Sequence, residues 1–110
     1  MKYKHYSPKA KVVMLNGDMK SFIGYVNSKC DSGTYALVFE GEEQGLEVPT
    51  VSFGRRDDAT TQAAVLFDAL RELDEKGCRI CYARVPEKSG VGLAVYNRLI
   101  RAAAFEVIDL

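Results

Sequence analysis

The sequence predicts a small single α/β domain, with antiparallel strands first and then an α-β-α-β half whose strands run parallel. Three observations carry that prediction. The first half alternates short β-rich runs with turns bearing Gly, Asn or Asp. The second half holds two stretches whose apolar residues recur at three- and four-residue steps. Each of those stretches is followed by a short apolar run. At 110 residues the chain suits one domain and can bury a core without disulfide or metal staples.

Residues 1–9 are polar and basic, and read as a flexible arm ahead of a domain over residues 10–110. Lys11 to Leu15 has strand character. Asn16-Gly17-Asp18 follows it, and Asn-Gly takes the two positive φ angles of a tight hairpin, so a second strand over Ser21 to Val26 is expected. Cys30 to Gly33 is a turn by composition, Thr34 to Phe39 a strand, and Gly41 to Gly45 a third turn. Leu46 to Phe53 reads as a further strand. Pro49, with no amide donor, confines that strand to an edge or breaks it.

The character then changes. Gly54-Arg55-Arg56-Asp57-Asp58 is a polar loop, and Asp57, Asp58 or Thr60 suits a helix N-cap. Ala63, Leu66, Ala69, Leu70 and Leu73 share one helical face, and Gly77 is a natural left-handed stop. Cys78 to Val85 is a strand, Pro86 to Gly92 a loop, and Val95, Tyr96, Leu99, Ile100 and Ala103 mark a second amphipathic helix. Phe105 to Leu110 is the last strand. Parallel strands are the usual outcome of such an order. Leu66, Leu70, Leu73, Ile80, Val95, Leu99 and Val107 are expected in one core cluster.

Composition narrows the function classes. Apolar residues make up 47% and charged residues 27%, as in globular chains. Fifteen basic residues balance fifteen acidic ones, so no surplus charge argues for nucleic acid as a partner. No apolar run reaches the ~18–20 residues of a membrane span. The basic start leads into no apolar stretch, and three cysteines (Cys30, Cys78, Cys81) follow no disulfide framework. A reduced, cytoplasmic setting is expected.

Catalytic chemistry finds no foothold in the residue pattern. Cys78-Arg79-Ile80-Cys81 has redox or zinc spacing, but inside a strand residues three apart point to opposite faces. Structural thiols are the expected reading, and a closed zinc site would need four ligands. His5 is the single histidine and lies in the arm, so neither a triad nor a His-rich metal site can be assembled. A two-metal nuclease needs carboxylates converging from the strands. Lys11 to Leu15 and Cys78 to Val85 supply none. No catalytic residue, metal or cofactor is assigned.

Two loops do suggest binding. Gly54-Arg55-Arg56 precedes the first helix, and Ser89-Gly90-Val91-Gly92 the second. Helix N-termini carry unpaired amides and partial positive charge, and arginine forks suit phosphate or carboxylate. Arg55, Arg56, Ser89, Gly90 and Gly92 are therefore the candidate ligand-binding residues. The alternative is that the glycines only shape a turn and a cap, with Asp57 and Asp58 neutralising both arginines.

The segment Gly77-Cys-Arg-Ile-Cys-Tyr-Ala-Arg-Val85, then a Gly-containing loop, then Tyr96 to Val107, resembles the dinitrogenase iron–molybdenum cofactor family and its iron-only nitrogenase accessory relatives. The resemblance implies a small RNase-H-like fold. Where that family carries a His-Phe-Gly element near the second strand this chain has no histidine, and Ala104 stands where glycine is usual. The expected function is thus a non-enzymatic binding or accessory domain for an anionic small molecule, cofactor or protein partner. A protein-interaction module that self-associates through an exposed sheet edge, as in a homodimer, is the second reading. An RNA-binding module using the arm (Lys2, Tyr3, Lys4, His5, Tyr6, Lys9, Lys11) is the third.

Overall fold

The computed structural model describes residues 8–110. The elements run β1 (Lys11–Asn16), α1 (Met19–Asn27), β2 (Thr34–Val38), β3 (Thr50–Ser52), α2 (Ala59–Glu75), β4 (Ile80–Arg84), α3 (Val91–Ala102) and β5 (Val107–Asp109). They build one five-stranded sheet in the order β3-β2-β4-β1-β5. Every pairing in it is parallel: β1 with β4 and β5, and β2 with β3 and β4.

This corrects the antiparallel opening, and with it the RNase-H-like arrangement. Asn16-Gly17-Asp18 is no hairpin turn. Asp18 instead caps a helix, its Oδ1 accepting from the Ser21 amide at 2.8 Å. Phe22 and Val26 then fall four residues apart on the buried face of α1, so the run expected as a strand pays its apolar residues into a helix period. Leu46 to Phe53 also shrinks, to the three residues of β3. Pro49 sits just ahead of it on the sheet edge and accepts from the Ala36 amide at 3.0 Å.

Strand alternation divides the core into two layers. Val12 and Met14, Leu37 and Phe39, Val51 and Phe53, and Cys81 and Ala83 face α2 and α3, where Leu66, Leu70, Leu73, Val95 and Leu99 meet them. Val13, Leu15, Ala36, Val38 and Tyr82 face the other way, onto Phe22 and Val26 of α1. Val107 packs at the margin of the first layer. Ile80 does not join that layer; it lies against the α1 side. Expecting one cluster ignored that Ile80 and Cys81, adjacent in a strand, must point to opposite faces.

Cys78 and Cys81 need the reverse correction. They are not separated by strand alternation, because β4 begins only at Ile80 and Gly77 (φ +78°) turns the chain ahead of it. Both thiols lie in the α2/α3 layer, free of any disulfide, and the Cys81 thiol donates to Tyr82 O at 3.9 Å. Burial pushes the Cys81 thiol up.

The arm expected over residues 1–9 lies outside the described residues except for Pro8 and Lys9. Lys9 is already anchored, its amide donating to both Asp74 carboxylate oxygens at 3.1 Å.

Helix α3 ends in a Schellman motif. The Ala104 amide donates to Arg101 O at 3.0 Å and the Phe105 amide to Ile100 O at 2.8 Å. Ala104 (φ +52°) therefore occupies the left-handed position that glycine fills most cheaply. Ala104→Gly should stabilise the domain by about 0.5–1 kcal/mol, read as a higher urea midpoint at unchanged slope.

Candidate functional site

The crossover connections change direction across the sheet between β1 and β4. From β1 the chain crosses over β4 to reach β2, by way of α1. From β4 it crosses over β1 to reach β5, by way of α3 on the opposite face. Such a switch point leaves a crevice at the carboxyl ends of the strands. A cavity of about 900 Å³ opens there. Asn16 and Gly17 line it from the end of β1, Phe39 and Glu40 from the end of β2, and Arg84 to Ser89 from the end of β4. Arg55 to Asp57, Ala59 and Gln62 line it from the start of α2, and Val91 and Gly92 from the start of α3.

Of the candidate residues, Arg55, Arg56, Ser89 and Gly92 thus meet at one cavity, although 33 residues or more separate the two loops in sequence. Gly90 does not line it. With φ +58° and ψ −139°, Gly90 adopts a conformation open mainly to glycine and turns the chain into α3. Gly92 is needed for close approach, since a Cβ there would come within 2.6 Å of Glu87 O.

The two helix starts differ. At α2, Asp58 accepts from the Thr61 amide at 3.2 Å, so that end is capped. At α3 no side chain caps; the Leu93 amide donates to Gly90 O at 3.1 Å, and Val91 and Gly92 of the first turn line the cavity. The arginines also differ. Arg55 binds Asp58 at 2.7 Å in an exposed pair. Arg56 makes no ion pair or side-chain hydrogen bond among the described residues. Neutralisation of both arginines by Asp57 and Asp58 therefore holds for Arg55 alone. Lys88 adds a second cation, 5.0 Å over the Tyr96 ring, while Glu40, Asp57 and Glu87 bring acceptors to the same walls.

Hydrogen bonds from Thr61 and then Arg55 hold the Asp58 carboxyl well below the usual carboxylate range. A carboxyl depressed in the folded state stabilises fully above its unfolded value, and that contribution is lost as pH falls through the folded one. Acid titration of stability from about pH 6 to about pH 2 should consequently be steeper for wild type than for Asp58→Asn, whose amide still caps.

Two groups of the site were not foreseen. Arg84, 5% exposed, ends the central strand β4. Its Nε donates to Glu42 Oε1 at 3.1 Å and its Nη1 to Gly17 O at 3.0 Å. Glu42 Oε1 also accepts from the Phe39 amide at 3.2 Å, so this one carboxylate ties the ends of β2 and β4 together. The second group is Gln62, 2% exposed, whose Nε2 donates to Arg55 O at 2.7 Å and Arg56 O at 3.2 Å. A charge closing an apolar strand, and an amide on an otherwise apolar helix face, were the available signals.

Among the described residues no group of His, Cys, Asp or Glu is placed to hold a metal ion, and no helix is long and apolar enough to cross a membrane.

Residues 1–104 match the family described as the C-terminal domain of threonylcarbamoyl-AMP synthase. The chain is 32% identical over 119 residues to the threonylcarbamoyl-AMP synthase of Pyrococcus abyssi, covering 100% of this chain and 33% of that protein. It is 35% identical over 111 residues to the Bacillus subtilis enzyme of the same name, covering 98% and 32%. The chain therefore spans about a third of the length of these relatives. A crystal structure of P. abyssi Sua5 complexed with L-threonine superposes with a TM-score of 0.76 at 30% identity, over 100% of this chain and 33% of that one. A C-terminal Sua5 domain from Pyrococcus horikoshii shares the fold, with a TM-score of 0.66 at 24% identity, over 94% of this chain and 100% of that one.

These matches overturn the resemblance to the nitrogenase cofactor family. The segment that carried it, a strand, a glycine loop, a helix and a strand, is a unit that parallel α/β domains share widely. They also lend no support to setting nucleic acid aside as a partner.

Proposed function

The chain belongs to the family of threonylcarbamoyl-AMP synthase C-terminal domains, and from that premise we propose that it is a non-enzymatic accessory domain with an anion-binding cleft. The cleft is the crevice at the carboxyl ends of β1 and β4, and its ligand is a small molecule or partner group bearing phosphate or carboxylate. The relatives' name, threonylcarbamoyl-AMP synthase, makes a nucleotide phosphate the first chemistry to consider. The domain acts in the cytoplasm, beside or within an enzyme that supplies the catalytic groups this cleft lacks.

One observation carries the reading. The start of α3, which no side chain caps, and Arg56, unpaired among the described residues, line the same cavity, so helix dipole and a planar cation meet at one volume. Arg55 contributes less, because its exposed pair with Asp58 already occupies it. Ser89 offers a hydroxyl on the same wall, and Gly92 keeps the wall open.

Thermal unfolding with increasing phosphate tests this. A specific site stabilises by about 2.7 kcal/mol when the ligand stands at a hundredfold excess over its Kd. That gain should fall sharply in Arg56→Ala and less in Arg55→Ala. Equal responses in wild type and both variants would mean that the anion acts through general solvent effects.

A further inference from the structure

We propose that Gln62 is a ligand-binding residue of this cleft, and that it selects an anion carrying its own hydrogen-bond donor over one that only accepts. The inference rests on the anion-binding reading above and adds the chemical class of the ligand. Gln62 lines the cavity and is 2% exposed. Its amide nitrogen is held by two backbone carbonyls, Arg55 O at 2.7 Å and Arg56 O at 3.2 Å. Only a donor satisfies two carbonyls, so the carboxamide has one permitted orientation. Its oxygen is then left buried with no hydrogen-bond partner.

An orphaned buried acceptor is costly, and folded proteins keep few of them. Here the backbone leaves no freedom to remove it. Gly54 (φ +99°) packs so closely that a Cβ there would reach 2.9 Å from the Gln62 backbone nitrogen, which locks the start of α2 under the Arg55–Arg56 loop. The same carboxamide that fixes the loop thus presents a fixed acceptor beside it. A ligand whose charge engages Arg56 and the start of α3 lies in the same cavity that Gln62 lines. Glu40, Asp57 and Glu87, also on the walls, favour the same kind of ligand, since carboxylates accept and never donate when ionised. Hydrogenphosphate brings an O–H. A phosphate or carboxylate flanked by a hydroxyl, amine or amide brings an equivalent donor. Sulfate brings none.

Phosphate and sulfate therefore make a matched pair of probes, at a pH above the second ionisation of phosphate where both are dianions. Calorimetric titration of the whole chain should give a Kd for phosphate about tenfold or more below that for sulfate, the value of one satisfied buried acceptor. Gln62→Met keeps the volume and removes the acceptor, and should bring the two constants together. A merely structural role for Gln62 would weaken both anions alike and leave their ratio as it is. Equal affinities in wild type would overturn the inference alone, leaving Oε1 to an internal water. Failure of both anions to bind would overturn the anion-binding reading and this inference with it. Should Gln62→Met fail to fold, the wild-type ratio still decides.

Discussion

Glu42→Ala is expected to destabilise the domain by about 3–5 kcal/mol, the usual cost of breaking a buried ion pair from one side. The Arg84 and Glu42 side chains are 6% and 14% exposed, so water cannot take over for the missing carboxylate. Loss of Glu42 would strand the Arg84 guanidinium above the Phe22 ring, 5.6 Å from its centroid, with Gly17 O as its one remaining hydrogen-bond acceptor among the described residues. The Phe39 amide would lose its acceptor as well. The pair itself adds little net stability, because both ions were desolvated to form it. A Glu42→Leu, Arg84→Met double variant should accordingly recover most of the loss. Urea unfolding of the two single variants and the double variant measures this. A cost under about 1 kcal/mol for Glu42→Ala would class the pair with solvated surface bridges.

Leu70→Ala should cost about 2–5 kcal/mol. Leu70 is 0% exposed in the layer between α2 and the sheet, where Phe39, Phe53 and Leu66 also lie. The ring pair Phe39–Phe53, with centroids 4.5 Å apart, leaves the surroundings little freedom to collapse into the vacancy. The cost should therefore fall toward the upper part of that range. An unfolding midpoint equal to wild type would mean that α2 presents another face to the sheet.

The back half was legible because its signals are local. Ala63, Leu66, Leu70 and Leu73 spell the helix period, the Asp57 to Thr60 stretch offers a cap and Gly77 the stop, and α2 occupies Ala59–Glu75 with Asp58 as its cap. Helix α1 was missed because nine residues are too few for periodicity to outweigh an Asn-Gly pair. Phe22 and Val26 fit a strand and a helix face alike, and only the Asp18 cap breaks the tie. With α1 misread, the first crossover vanished and the sheet seemed to open antiparallel. Had α1 been seen, the switch point between β1 and β4 would have followed from topology alone.

Within the cleft, Arg55, Arg56, Ser89 and Gly92 were legible as loop residues opening helices. Which arginine is free was not, because Asp57 and Asp58 offer equivalent partners until the α2 cap commits Asp58. Glu42 and Arg84 lie 42 residues apart, and nothing local links them. Gln62 hid for a different reason. An amide amid apolar helix residues looks like an exposed position until the loop carbonyls above it are in place.

Ligands are expected to enter at the carboxyl ends of β1 and β4. Amide chemical shifts followed during a phosphate titration test it most directly. Saturable shifts are expected over Arg55 through Ala59, at Gln62 and over Ser89 through Gly92, where α2 and α3 open onto the cavity. The loops at the opposite end of the sheet, Asp31 to Tyr35 and Lys76 to Arg79, line a smaller cavity of about 460 Å³ and should stay still. Shifts centred on those loops, or spread in proportion to surface charge without saturating, would contradict it.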